Sequence, residues 1–151
     1  MTLLRVNGVS HEIRSDPSTP LIYVLRNELG LTGTKLGCAL EQCGTCAVLI
    51  DGESTYSCVA PVAQFEGRNI QTIEDTDPVL RRVCAALAAA GAAQCGYCIP
   101  GMAIALTALL RSGAAWDDRA IRAALQPHLC RCGTHMRILH AARSLGGKAA
   151  E

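Results

Sequence analysis

Gly37-Cys38-Ala39-Leu40-Glu41-Gln42-Cys43-Gly44-Thr45-Cys46 is the stretch from which the rest of the chain can be read. Three cysteines stand in one loop, separated by four residues and then by two, and Cys58 follows alone. A segment that puts three thiols so close together must wrap tightly around whatever they hold, with backbone N–H groups turned inward. Gly37 and Gly44 suit that path, because glycine accepts backbone angles that other residues resist. The 151-residue chain carries nine cysteines, Cys38, Cys43, Cys46, Cys58, Cys84, Cys95, Cys98, Cys130 and Cys132. Its first residues, MTLLRVNGVSHEIRSD, lack a basic region followed by a long apolar run and lack a twin-arginine motif. A cytoplasmic chain is therefore expected, disulfides are disfavoured and metal is the leading explanation for so many thiols. With one cysteine set aside, eight remain in two groups of four.

The spacing of Cys38, Cys43, Cys46 and Cys58 is that of a plant-type [2Fe–2S] site, in which three ligands share a loop and the fourth arrives alone. A structural zinc site also takes four thiolates, but it is normally built from two short hooks. The second set, Cys95-Gly96-Tyr97-Cys98 and Cys130-Arg131-Cys132, pairs a CxxC with a CxC across 31 intervening residues. Here zinc is a serious rival, whereas a thioredoxin-type redox pair would need a βαβ pattern that is not visible. Each of these two pairs falls just before a predicted helix, so two helix N-termini can converge on an anionic centre.

Around these motifs the pattern changes once. Leu3 to Val6 and Val9 to Ile13 flank Asn7-Gly8 and predict a hairpin. Pro20 opens a short helix over Leu21 to Leu29 that stops at Gly30. Ala47 to Ile50 and Ser54 to Cys58 flank Asp51-Gly52-Glu53 as a second hairpin, whose end can bring Cys58 back to the loop. From about Pro78 the apolar positions take helical spacing: Leu80, Val83, Cys84 and Leu87, then Met102, Leu106, Leu109 and Leu110. Asp117 can cap Asp118 to Gln126, and Thr134 can cap a last helix carrying Met136, Leu139 and Leu145. The alanine-rich stretch Ala85 to Ala93 reads as a tightly packed helix. The fold class is α+β, with a boundary in the acidic segment of residues 72–78 that divides the chain into units 1–75 and 76–151.

Composition excludes several functions. Charged residues make up 18% and the net charge is +1, with no basic run for nucleic acid or an anionic membrane. No apolar stretch approaches the roughly 20 residues of a membrane span. No glycine-rich dinucleotide fingerprint is present.

The motifs Gly37-Cys38 with Gln42-Cys43-Gly44-Thr45-Cys46, Tyr56-Ser57-Cys58, Gln94-Cys95-Gly96-Tyr97-Cys98-Ile99-Pro100-Gly101-Met102 and Leu129-Cys130-Arg131-Cys132-Gly133 occur in order across nearly the whole chain. In them the sequence resembles the iron–sulfur subunits and domains of the molybdenum hydroxylase family, which includes xanthine dehydrogenase, aldehyde oxidoreductase, carbon monoxide dehydrogenase and the N-heterocycle hydroxylases. The resemblance implies a plant-type ferredoxin-like β-grasp domain followed by a four-helix bundle domain, with two [2Fe–2S] clusters on the eight cysteines. It implies a large partner subunit that binds molybdopterin, contacted through Gln94 and Cys132, and a flavin subunit or a cytochrome as acceptor. The cluster on Cys95, Cys98, Cys130 and Cys132 would lie beside the pterin and the other farther out. This chain would pass single electrons in an oxidoreductase complex without catalysing on its own. Ala39-Leu40-Glu41 lacks a glycine often found there. Gly133-Thr134-His135 looks like the small subunits of isoquinoline- or nicotinate-type dehydrogenases and some bacterial aldehyde dehydrogenases, which implies an N-heterocycle or aldehyde substrate. Export together with a signal-bearing partner stays open.

The remaining candidates read as ordinary residues. Cys84 falls on an apolar helix face as a buried thiol. His11, His128, His135 and His140 share no metal spacing. Met102 reads as core, and Arg131 either offsets cluster charge or lies in solvent or an interface. A free ferredoxin-like carrier and a zinc-stabilised interaction module are the rival functions.

Overall fold

The computed structural model describes residues 1–146, so the last residues of the expected second unit lie outside the described part. The predicted first hairpin is present as β1 (Thr2–Val6) and β2 (Val9–Ile13), with Asn7 and Gly8 at φ 50° and 80°. Positive φ at both central residues makes a turn whose twist matches the strands. α1 begins at Leu21–Tyr23 as expected but widens into a π-helical turn over Val24–Glu28, where the Leu29 N–H bonds to Val24 O at 3.0 Å. The widened turn keeps Leu21, Ile22, Val24 and Leu25 all inside the protein. Arg26 holds the following loop by bonding the Thr32 and Thr34 carbonyls. Gly30 ends the element at φ 70°.

β3 (Ala47–Ile50) and β4 (Glu53–Tyr56) form the second hairpin. Its boundaries differ from the sequence reading, because Asp51-Gly52 alone makes the turn and Ile50 pairs directly with Glu53. Cys58 therefore lies beyond the strand. A 3₁₀ turn at Val62–Phe65 and β5 (Asn69–Gln71) had no readable periodicity, since the strand has three residues and buries only Ile70. β5 pairs parallel with β1 and antiparallel with β3, giving the order β2-β1-β5-β3-β4.

Four helices follow: α2 (Pro78–Ala89), α3 (Ile99–Arg111), α4 (Asp118–Leu125) and α5 (His135–Leu145). Asp77 caps α2 by accepting from the Val79 and Leu80 N–H groups, and Asp117 caps α4 through the Ala120 N–H. Two expectations fail here. α2 ends at Ala89 and Gly91 turns the chain at φ 56°, so the alanine-rich stretch is not one packed helix, and Ala85, Ala88 and Ala89 face solvent. Thr134 makes no cap, because its hydroxyl is turned to the Cys130 sulfur. Met136 is 69% exposed, and the buried stripe of α5 runs through Ile138, Leu139, Ala142 and Leu145. No helix among the described residues is long and apolar enough to cross a membrane.

β3 carries the architecture, since all four of its residues are buried. Val48 and Ile50 join Leu4, Leu25 and Ile70 beneath the sheet, while Ala47 and Leu49 join Leu80, Met102 and Leu106 among the helices. Alternate side chains of a strand point to opposite faces, so one strand serves both cores. Arg111, at the end of α3, clamps the joint by donating to Gln71 Oε1 at 2.8 Å and pairing with Asp77 at 2.6 Å.

Candidate metal centres

The first thiol site is a loop built against its own backbone. Ala39 and Glu41 both stand at φ 57° and Gly44 at 71°. These left-handed residues turn the Leu40 and Gln42 N–H groups onto Cys38 Sγ, each at 3.3 Å, and the Cys38 N–H reaches Cys43 Sγ at 3.4 Å. Inward-facing backbone N–H groups make an anion cradle. Burial works against ionisation of Cys38, but the Gln42 and Leu40 N–H groups bring its thiol down to about 7. Gly37 is needed because an added Cβ would lie 2.7 Å from Cys43 Sγ.

Cys46 and Cys58 close the site from inside. They are 1% and 4% exposed, and they pack with Ile22, Leu36 and Tyr56. The Ser57 hydroxyl donates to Cys46 O at 2.7 Å, and the Ile22 N–H bonds to Ser57 O at 2.9 Å, so α1 fixes the return of the chain after β4. The two thiols face each other, and burial pushes Cys46 up to about 12. A thiol so placed becomes a thiolate when a cation stands beside it.

The second site lies between the start of α3 and the loop before α5. Cys98 precedes α3 and is buried, which pushes its thiol up to about 12. Cys130 faces it and is brought down to about 6, chiefly by the Thr134 hydroxyl at 3.5 Å. Cys95, which is exposed, faces Cys132. Gln94 is exposed directly beside Cys95, and Arg131 is exposed between the last two thiols. Cys84 stays apart from both sites, half-buried against the helical core.

All eight predicted thiols are thus brought together in pairs: Cys38 with Cys43, Cys46 with Cys58, Cys95 with Cys132 and Cys98 with Cys130. Two pairs per site fit a two-iron group with four thiolate ligands. Among the described residues, no three His, Cys, Asp or Glu side chains converge as the ligands of a single ion.

The two sites also touch. The Leu129 N–H bonds to Cys43 O at 3.0 Å, and the Tyr97 hydroxyl donates to Leu36 O at 2.7 Å. Gly101 of α3 lies against the Gly44 carbonyl, leaving no room for a side chain, and buried His128 lies against Gly44 from the other side. Burial pushes His128 down to about 4, so its ring is neutral. Sequence reasoning missed His128, Thr134 and Tyr97, because their roles arise only when distant loops meet.

Comparison with known proteins agrees with this layout. A family model described as a 2Fe-2S iron–sulfur cluster binding domain matches residues 4–89, and one described as a [2Fe-2S] binding domain matches residues 70–143. A nicotinate dehydrogenase subunit of Pseudomonas putida is 46% identical over 142 residues, covering 93% of this chain and 90% of that one. The iron–sulfur-binding subunit of xanthine dehydrogenase from Escherichia coli O157:H7 is 38% identical over 139 residues, covering 89% of this chain and 87% of that one. The crystal structure of quinoline 2-oxidoreductase from Pseudomonas putida 86 superposes with a TM-score of 0.84 at 32% identity, covering 96% of this chain and 91% of that chain.

Proposed function

This chain belongs to the iron–sulfur small subunits of the molybdenum hydroxylase family, and from that premise we propose that it relays single electrons through two sites in series. Cys38, Cys43, Cys46 and Cys58 hold one [2Fe–2S] cluster in a ferredoxin-like β-grasp unit over residues 1–75. Cys95, Cys98, Cys130 and Cys132 hold the other in a four-helix bundle unit over residues 76–151. The observation that carries this reading is the joining of two four-thiol sites through the Leu129 N–H and Cys43 O. From Cys130 the backbone runs one residue to Leu129, across that hydrogen bond and into Cys43, so a ligand of one site is tied to a ligand of the other by a short bonded path. When bound, each cluster takes and releases one electron, which lets a two-electron oxidation be drained in single steps.

The exposed end of this path is the second site. Cys95 is exposed, and Leu129 at 62% and Tyr97 at 48% are exposed next to Cys130 and between Cys95 and Cys98 in the chain. Apolar side chains left in solvent around a redox site mark a docking face. A large molybdopterin-binding subunit is the proposed occupant, with Gln94 and Cys132 toward the pterin. The relatives named for nicotinate and for quinoline favour an N-heterocycle as the partner's substrate, with an aldehyde as the alternative. A flavin subunit or a cytochrome is the proposed acceptor at the first site, and the complex is expected in the cytoplasm.

EPR of the dithionite-reduced native complex, with iron and sulfide analysis of this chain, tests the proposal. Two distinct [2Fe–2S] signals and about four irons per chain are expected. A single signal would assign the second thiol set to zinc or free thiols, and bound zinc without any signal would overturn the relay.

A further inference from the structure

His128 belongs to neither thiol set, yet the two loops close upon it. Its side chain is 4% exposed, and its Nδ1 has no hydrogen-bond partner. A Cβ added to Gly44 would lie 2.5 Å from Nδ1, 2.8 Å from Cγ and 2.9 Å from Cε1. Three ring atoms at nearly equal range mean that the imidazole presents its surface, not a single corner, to the first cluster loop. An unused nitrogen in a buried place is a cost, so hydrogen bonding does not account for the ring's position.

The backbone shows what the ring is tied to. His128 N–H bonds to Leu125 O at 2.9 Å, which anchors the residue at the end of α4. The next N–H, that of Leu129, reaches Cys43 O at 3.0 Å, and Cys130 follows. Gly101 closes over Gly44 from α3. Gly44 is therefore gripped between two elements of the helical half, one leading from Cys98 and one leading to Cys130.

We propose that His128 is a positioning residue whose ring, pressed on Gly44, sets the separation between the Cys43 and Cys130 loops and so the magnetic and electronic coupling of the two sites. This rests on the two-cluster reading above. A residue that only filled space in the core would change stability without moving that coupling.

The test is EPR of the reduced native complex carrying Gly44→Ala, His128→Ala or both, with iron analysis of each. Alanine at φ 71° also carries left-handed backbone strain, which Ala39 shows the loop can bear and which the double variant retains, so the part relieved by adding His128→Ala is the crowding by the ring. Gly44→Ala is expected to lose or broaden the first-site signal, and adding His128→Ala is expected to recover it. His128→Ala alone is expected to keep both signals while shifting the spin–spin splitting between them. If His128→Ala does not retain iron, His128→Asn is read in its place by the same splitting. An unchanged splitting in the variant that retains iron, or a double variant no better than Gly44→Ala, overturns the inference. A wild-type complex with one signal would instead overturn the two-cluster reading itself.

Discussion

The two thiol sites differ in how far they are closed to solvent, since the first buries two of its four thiols and exposes none, while the second buries only Cys98 and exposes Cys95. The first puts Cys46 and Cys58 inside an apolar cluster and lines Cys38 with backbone N–H groups. The second leaves Cys95 exposed and adds a side chain, the Thr134 hydroxyl, to the backbone N–H groups at Cys130. Burial and hydrogen bonding are the means by which a protein tunes such centres. The first site is closed by its own apolar cluster and by contacts from the helical half, whereas the second keeps one thiol in solvent.

Replacing one ligand at each site is the strongest way to break this contrast. Cys46→Ser and Cys95→Ser should each remove one EPR signal and about two of about four irons. Cys46→Ser should also destabilise the metal-free chain by about 1–3 kcal/mol, since it moves a hydroxyl, more costly to desolvate than a thiol, into a place 1% exposed. Cys95→Ser should leave the metal-free chain nearly unchanged in urea unfolding. Equal losses of stability would abolish the distinction.

Arg111→Ala attacks the joint between the halves and should cost about 1–2 kcal/mol, because Gln71 Oε1 loses its donor and Asp77 its counter-ion. Its pH dependence sharpens the point. Burial works against ionisation of Asp77, but the Leu80 N–H and Arg111 outweigh it and hold the carboxyl below its ordinary range. A folded pKa below the unfolded one contributes stability that is present above about pH 3.9 and is lost as pH falls through the folded value. Acid titration of stability should therefore be steeper in the wild type than in Arg111→Ala below about pH 4. Parallel curves would remove Arg111 from that account.

Thr134→Val removes the hydroxyl at Cys130 while keeping its volume. A redox titration should show the second-site potential falling by about 40 mV, the equivalent of one lost hydrogen bond of about 1 kcal/mol, with the first site unmoved. Ala39→Gly is the mildest change. Relief of the left-handed backbone, about 1–2 kcal/mol, is offset by glycine's extra freedom when unfolded, about 0.5–1 kcal/mol. A net gain of about 0.5 kcal/mol in thermal unfolding is expected, confined to the first site.

The sequence was most legible where a local rule acts alone. Asn7-Gly8 specified its hairpin, Asp77 and Asp117 capped their helices, and the cysteine spacings grouped the eight thiols before their pairing was visible. It was least legible where distant segments compete for the same group. Thr134 has the composition of a cap, but a sulfur four residues earlier in the chain takes its hydroxyl. β5 is too short to show a period, and its place between β1 and β3 depends on pairing with strands far away in sequence. His128 looks like any histidine until Gly44 is brought against it.

The double burial of β3 bears on how freely the chain can be cut. A piece ending at residue 75 would keep all five strands and the first four thiols, yet Ala47, Leu49 and Ile73 would lose the helices that cover them. Such a fragment would present an apolar strip next to the edge strand β4, the arrangement that favours self-association. A stand-alone electron carrier made from the first half would need polar replacements at Ala47 and Leu49, whereas graft points outside that strip, such as the Asn7-Gly8 turn, leave the shared layer intact.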